Sequence, residues 1–225
     1  DGFRVTDAGN AARFVDRHGD HLRFVPKWKT WLAWDGTRWA MDYANVAAQE
    51  AAKDVGRYLA LEAADIADRG DKGDTKRATS WVEHSETLSG LRAMASIAQS
   101  DAKVVVDHRL LDREENLLNV RNGVVDLLSG TLLPHDPSYM MTKIAGTEFV
   151  AGAECPTWIR FLKEVLPDPD VREFVARLFG YCLSGSVREQ IIVFLIGGGQ
   201  NGKSVFLSVL RALLGEYGDT LSDSV

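Results

Sequence analysis

The stretch that most constrains this chain is Ile191-Ile-Val-Phe-Leu-Ile196 followed at once by Gly197-Gly-Gly-Gln-Asn-Gly-Lys-Ser204. Six successive apolar residues have the length of a strand covered on both faces, as in a parallel sheet. After the glycines, Val205, Phe206, Val209, Leu210, Leu213 and Leu214 form one apolar helical stripe, and Gly215 is placed to end it. The order predicted is strand, glycine-rich loop, helix. Within it Gly197 and Gly202-Lys203-Ser204 carry the spacing of a phosphate-binding loop. Glycines let the backbone curl around phosphates, and the helix turns its positive end toward them. The predicted nucleotide-binding residues are Gly197, Gly198, Gly199, Gln200, Asn201, Gly202, Lys203 and Ser204. Lys203 is expected to reach the β- and γ-phosphates of ATP, and the Ser204 hydroxyl to ligate Mg²⁺. At average residue usage these four fixed positions match by chance in a chain this long about once in a hundred.

Hydrolysis also requires an acidic residue on a neighbouring strand. The nearest imitation, Val104-Val-Val-Asp107, precedes the loop and ends on one carboxylate. No catalytic residue is therefore assigned within these 225 residues, and the strand that bears the acids is expected beyond Val225. The chain opens on Asp1 rather than Met and shows no signal peptide, so it is read as part of a longer protein.

Composition excludes several classes. No apolar run approaches the roughly 20 residues that span a bilayer, so no membrane partner is expected. Cys155 and Cys182 lack metal-ligand spacing, which predicts a reduced setting, and Cys182 is read as core packing. His18 and His21 have no supporting ligands and are read as structural. The net charge of −6 argues against a nucleic-acid coat over the whole surface but leaves room for a local basic site.

Upstream, the pattern is α+β. Leu22–Val25, Thr30–Trp34 and Arg38–Met41 read as strands, with Asp35-Gly36-Thr37 as a hairpin turn. Trp28, Trp31, Trp34 and Trp39 interleave here with Arg23, Lys27, Lys29 and Arg38. Such a mixture is either a stacking surface for single-stranded nucleic acid or a small sheet using its rings as core, and the second reading is favoured. Residues 45–68 and 76–99 read as helical, the second region broken near Ser89-Gly90, with a polar loop over Gly70–Asp74 between them. Leu117–Arg121, Val124–Leu128 and Thr131–His135 read as a meander turning at Asn122-Gly123, and helices are predicted from Pro156 and from Asp168-Pro169.

The block Asn116-Leu-Leu-Asn-Val-Arg-Asn-Gly-Val-Val-Asp-Leu-Leu-Ser-Gly-Thr-Leu-Leu-Pro-His-Asp-Pro137 resembles the hallmark of phage and plasmid primase-helicases, whose poxvirus-type N-terminal region precedes a superfamily III helicase. Trp158 with Phe161-Leu162, Gly180–Gly185, the GGGQNGKS loop and Leu213-Leu-Gly-Glu-Tyr217 match in the same order. The resemblance covers about residues 82–217. It implies three segments: 1–80, an α/β segment; 81–185, a collar-like domain; and 186–225, the start of a P-loop ATPase. It further implies ATP and Mg²⁺ as cofactors, self-assembly into a hexameric ring, single-stranded DNA as partner, and the cytoplasm of a bacterial host. Asn201 is the characteristic companion of the loop lysine in that family. Primer synthesis is not assigned. The alternative reading is a non-enzymatic DNA-binding or assembly module with a vestigial nucleotide site.

Overall fold

The computed structural model describes residues 4–220 except Asp71 and Gln200. The chain divides into two compact units. One comprises the residues up to Asp35 with Trp39–Leu111, and the other Gly36–Arg38 with the residues from Asp112 on.

The first unit opens with α1 (Asp7–His18). The sequence reading did not include this helix; its buried face mixes the polar Asn10 and Arg13 and Gly9 with the apolar Ala11, Phe14 and Val15. Its termini do carry signals: the Thr6 hydroxyl accepts from Gly9 N–H at 3.0 Å, Asp7 lies in the first turn, and Arg17 and His18 lie in the last. Then β1 (Leu22–Val25), β2 (Thr30–Trp34) and β3 (Trp39–Met41) form an antiparallel meander in that order, as expected. Trp31 and Trp39 are fully buried, so the favoured reading of the tryptophans holds for these two.

The helix α2 (Val46–Asp68) begins at two non-glycine residues with left-handed backbone, Ala44 and Asn45. Its cap comes from upstream, where the buried Asp42 carboxylate accepts from Ala47 and Ala48 N–H, each at 2.9 Å. Ala48, Ala51, Ala52, Val55, Gly56 and Leu59 form its buried face, in which the alanines and Gly56 let other elements approach closely. The polar loop that follows is shorter than expected, since α3 (Lys72–Ser85) starts at Lys72. The helical break falls before α4 (Leu88–Ala98), which Thr87 caps by accepting from Gly90 N–H at 3.0 Å. The core is made by Phe14, Phe24, Trp31, Val55, Met94 and Val104.

The second unit holds the other meander, β4 (Leu117–Val120), β5 (Gly123–Asp126) and β6 (Thr131–Leu133). Its turn lies one residue earlier than predicted. Val120 pairs with Gly123, so the turn residues are Arg121 and Asn122. Asn122 instead exchanges two hydrogen bonds with Phe149, each 2.9 Å. A Cβ on Gly123 would stand 2.4 Å from Leu133 O, which is the reason for glycine there. Two helices follow, α5 (Pro156–Val165) and α6 (Pro169–Leu183), the latter capped by Asp168 accepting from Asp170 N–H at 2.8 Å. Cys182 is exposed, not core. Only Val175 of α6 is buried, because the described residues offer most of its apolar face no second layer.

The strand predicted over Ile191–Ile196 is absent: these residues have no regular structure. Their exposure runs from 38% at Leu195 to 92% at Ile196. A strand exists only as part of a ladder, and among the described residues the sheets are the two meanders, neither of which includes this segment. The helix after the loop forms as predicted, α7 (Lys203–Leu214), and a single 3₁₀ turn, Gly215–Tyr217, ends it.

Asn10 offers a test of the first core. Fully buried, it donates to Ser85 Oγ at 2.8 Å and accepts from Trp81 Nε1 at 3.3 Å. Asn10→Ala leaves these partners unsatisfied, and a loss of about 1–3 kcal/mol is expected in urea denaturation.

Candidate nucleotide site

Lys203 opens α7, and its ammonium lies over the loop, donating to Gly197 O at 2.9 Å and Asn201 Oδ1 at 2.7 Å. Gly202, the cap residue, has a left-handed φ of 78°. A Cβ there would also lie 2.6 Å from Val165 Cγ1 and 3.0 Å from Phe161 Cζ of α5, so both backbone and packing demand glycine. At Gly197 a Cβ would lie 2.1 Å from Asn201 Nδ2. Gly198 and Gly199 face open space. Ser204 is exposed in the first turn of the helix. Gln200, predicted with this group, lies outside the described residues.

The helix is held at both ends. Near its start Phe206 is buried, edge-on to Phe179 at 4.8 Å and stacked with Trp158 at 6.0 Å. At its end Gly146 N–H donates to Leu213 O at 3.0 Å and Glu216 N–H to Ile144 O at 3.2 Å. Glu216 also pairs with Arg38. Tyr217 donates its hydroxyl to Lys143 O at 3.2 Å and accepts from Asn119 N–H at 3.4 Å. Burial chiefly, with Asp112 adding, pushes the Tyr217 phenol up to about 12.

The residues present suit a polyphosphate: an ammonium, two unobstructed glycines, a helix start with N–H groups lacking intrahelical acceptors, and an exposed hydroxyl. A carboxylate group for the accompanying metal is another matter. Among the described residues no cluster of three His, Cys, Asp or Glu side chains could hold an ion. Beside the loop an apolar cavity of about 290 Å³ is lined by Val193, Leu195, Phe174, Leu178 and Phe206 together with Lys203.

The four basic residues set apart as nucleic-acid candidates do not act as a group. Arg23 lies over the Trp39 ring at 4.6 Å and donates to the Gly19 and Leu22 carbonyls. Arg38 belongs to the second unit, paired with Glu216. Lys27 and Lys29 alone stand exposed, in the turn between β1 and β2. His108, which the sequence reading passed over, lies against Trp28 in the same unit. Its only sequence signal was its position just after Val104–Asp107. His18 is structural, with Nε2 3.0 Å from Asp54 Oδ2, and burial lowers its pKa against the pull of that carboxylate.

Residues 11–167 match the family described as D5 N terminal like, which is well over half of the chain. This match, with the viral relatives below, supports a family of primase-helicase N-terminal regions. The chain belongs to the D5 N-terminal-like family. It is 31% identical over 112 residues to a protein of Acanthamoeba polyphaga mimivirus named as a candidate helicase, covering 48% of this chain and 12% of that protein. A candidate helicase of Invertebrate iridescent virus 3 is 25% identical over 148 residues, 64% of this chain and 15% of the relative. A candidate primase of African swine fever virus is 26% identical over 116 residues, 48% of this chain and 12% of the relative. The matched parts are thus less than a sixth of these relatives' lengths. All three come from viruses of eukaryotes, and they lend no support to the bacterial host expected from the sequence. No described helix is long and apolar enough to cross a membrane.

Tyr217 gives the site a pH signature. Its pKa is higher folded than the ordinary value of 10.0, so deprotonation favours the unfolded chain. Its contribution is complete below about pH 10 and is lost as pH rises toward 12. Unfolding free energies from urea denaturation at pH 9 and pH 12 should differ by roughly 2 kcal/mol more for the native chain than for Tyr217→Phe.

Proposed function

We propose that this chain is the collar region, together with the first nucleotide-gripping segment, of an ATP-driven DNA helicase of the primase-helicase type. The whole protein would act in replication of a virus or mobile element, as a ring of identical subunits around single-stranded DNA. The observation that carries this reading is the placement of Lys203 at the head of α7, over a glycine loop. Membership of the D5 N-terminal-like family supports it independently.

In this reading Gly198 and Gly199 admit the phosphates to the backbone. Lys203 would leave the Gly197 carbonyl and Asn201 amide oxygen for phosphate oxygens, and the Ser204 hydroxyl would be the group available to Mg²⁺. Bound MgATP supplies the phosphoanhydride whose hydrolysis drives movement. No residue of these 225 is assigned to activate water, and the expectation for this chain is weak nucleotide binding at best without sustained turnover.

Titration with a fluorescent ATP analogue and Mg²⁺ tests the grip. Saturable binding is expected, weakened about tenfold or more by Lys203→Ala, as for loss of a charge-assisted contact to phosphate. Failure to bind any nucleotide would favour a non-enzymatic assembly module instead. Turnover by the 225-residue chain that disappears in Lys203→Ala would show that the water-activating group is already present.

A further inference from the structure

The tryptophans of the first sheet split into two kinds. Trp31 and Trp39 are closed in the core at 1% and 0% exposure, whereas Trp28 stands 38% exposed. Its turn, residues 26–29, is firmly built: Trp28 N–H donates to Val25 O at 3.1 Å, Lys29 N–H to Pro26 O at 3.2 Å, and the Thr30 hydroxyl to Trp28 O at 3.0 Å. Lys29 has a φ of 54°, a left-handed backbone that a non-glycine residue adopts only at a cost. The exposed Lys27 and Lys29 flank the ring in sequence.

A second segment is brought alongside. Phe24 of β1 bridges in parallel to Val105, accepting from Val106 N–H at 2.9 Å and donating to Val104 O at 2.7 Å. The continuation places the His108 ring 6.3 Å from that of Trp28, inclined by 60°, and Arg109 follows. The acid of this segment, Asp107, is already engaged: Arg109 donates to it from Nε at 3.1 Å, from Nη2 at 2.5 Å and from its backbone N–H at 2.9 Å, and His108 Nδ1 lies 3.2 Å away. The local balance is thus basic in a chain whose net charge is −6.

We propose that the turn 26–29 together with His108 is a binding surface for single-stranded nucleic acid. Trp28 stacks a base on its open face, backed by His108, and Lys27 and Lys29 meet the neighbouring phosphates. An exposed indole between cations favours single strands, because a duplex hides the base faces that stacking needs. The replicative role proposed above supplies only the expectation that such a strand is encountered; the surface itself does not depend on the nucleotide loop.

The test is fluorescence anisotropy with end-labelled oligo-dT and oligo-U of equal length, without nucleoside triphosphate, over a series of salt concentrations. Trp28→Ala should weaken binding about tenfold, with Trp28→Tyr retaining most of the affinity. The double variant K27A/K29A should lower the salt slope by about 1.4, at about 0.7 per phosphate contact on a single strand. Lys76→Ala, an exposed lysine on α3, should change nothing. If Trp28→Ala fails to fold, the lysine pair decides alone. Native affinity and slope in K27A/K29A, or no saturable binding of either oligonucleotide, overturns the proposal. Preference for one oligonucleotide assigns the strand as DNA or RNA. A chain blind to ATP that still binds through Lys27 and Lys29 keeps the surface and removes the nucleotide reading, and the opposite pair of results does the reverse.

Discussion

A helix can hold its positive end at a fixed point only if its other end cannot move, and α7 is secured by backbone rather than by side chains alone. Leu213 O and Glu216 N–H are both taken by the segment Ile144–Gly146. The approach is so close that a Cβ on Gly146 would stand 2.0 Å from Ala212 O, and one on Gly215 2.4 Å from Gly146 N. Gly215 also has a φ of 55°. At the front, Gly202 lies against Phe161 and Val165, and Phe206 against Trp158 and Phe179. Most of the anchoring residues, including Ile144 to Gly146, Trp158, Phe161 and Val165, fall within the family-matched stretch 11–167. The family region therefore acts as the mount on which Lys203 is placed.

Much of this was legible in the sequence where local chemistry decides the outcome. The two meanders, the helix start at Asp168-Pro169 and the helix after the glycine loop follow from turn residues and periodicity. What was not legible depends on partners. The helix α1 buries Asn10 and Arg13, polar residues that enter a core only because Ser85, Trp81 and the Arg4 carbonyl receive them. Conversely, Ile191–Ile196 has the composition of a buried strand, but composition cannot supply the neighbouring strands a ladder requires.

The candidate sites divide in the same way. The glycine loop could be located from its residue spacing, and Gly197 and Gly202 each answer a local demand for close approach or backbone freedom, whereas Gly198 and Gly199 face open space. Basic residues near tryptophans could not be sorted from sequence, since Arg23 and Lys27 differ only in what surrounds them. Arg23 is consumed by Trp39 and two carbonyls, Arg38 by Glu216, while Lys27 and Lys29 project from a turn. His108 joins them through a single parallel bridge at Phe24, a contact between residues about 80 positions apart that no periodicity encodes.

The loop lies in the second unit and the Trp28 surface in the first. If both bind as proposed, any effect of nucleotide on strand affinity is a coupling free energy between two distinct sites, and it must be reciprocal: a nucleotide that tightens the strand is itself tightened by it. Within the second unit the structure gives that coupling a physical starting point. Lys203 has two oxygens to exchange for phosphate, and α7 is hydrogen-bonded end-on to residues 144–146, with Tyr217 joined in turn to Asn119 of β4. A change in the loop is thus resisted or transmitted by a rigid helix, whereas the apolar segment before the loop, outside any ladder, has no such restraint. Loop rearrangement at fixed α7 is therefore the less costly response to a phosphate, and coupling to the strand requires the mount itself to have a second arrangement.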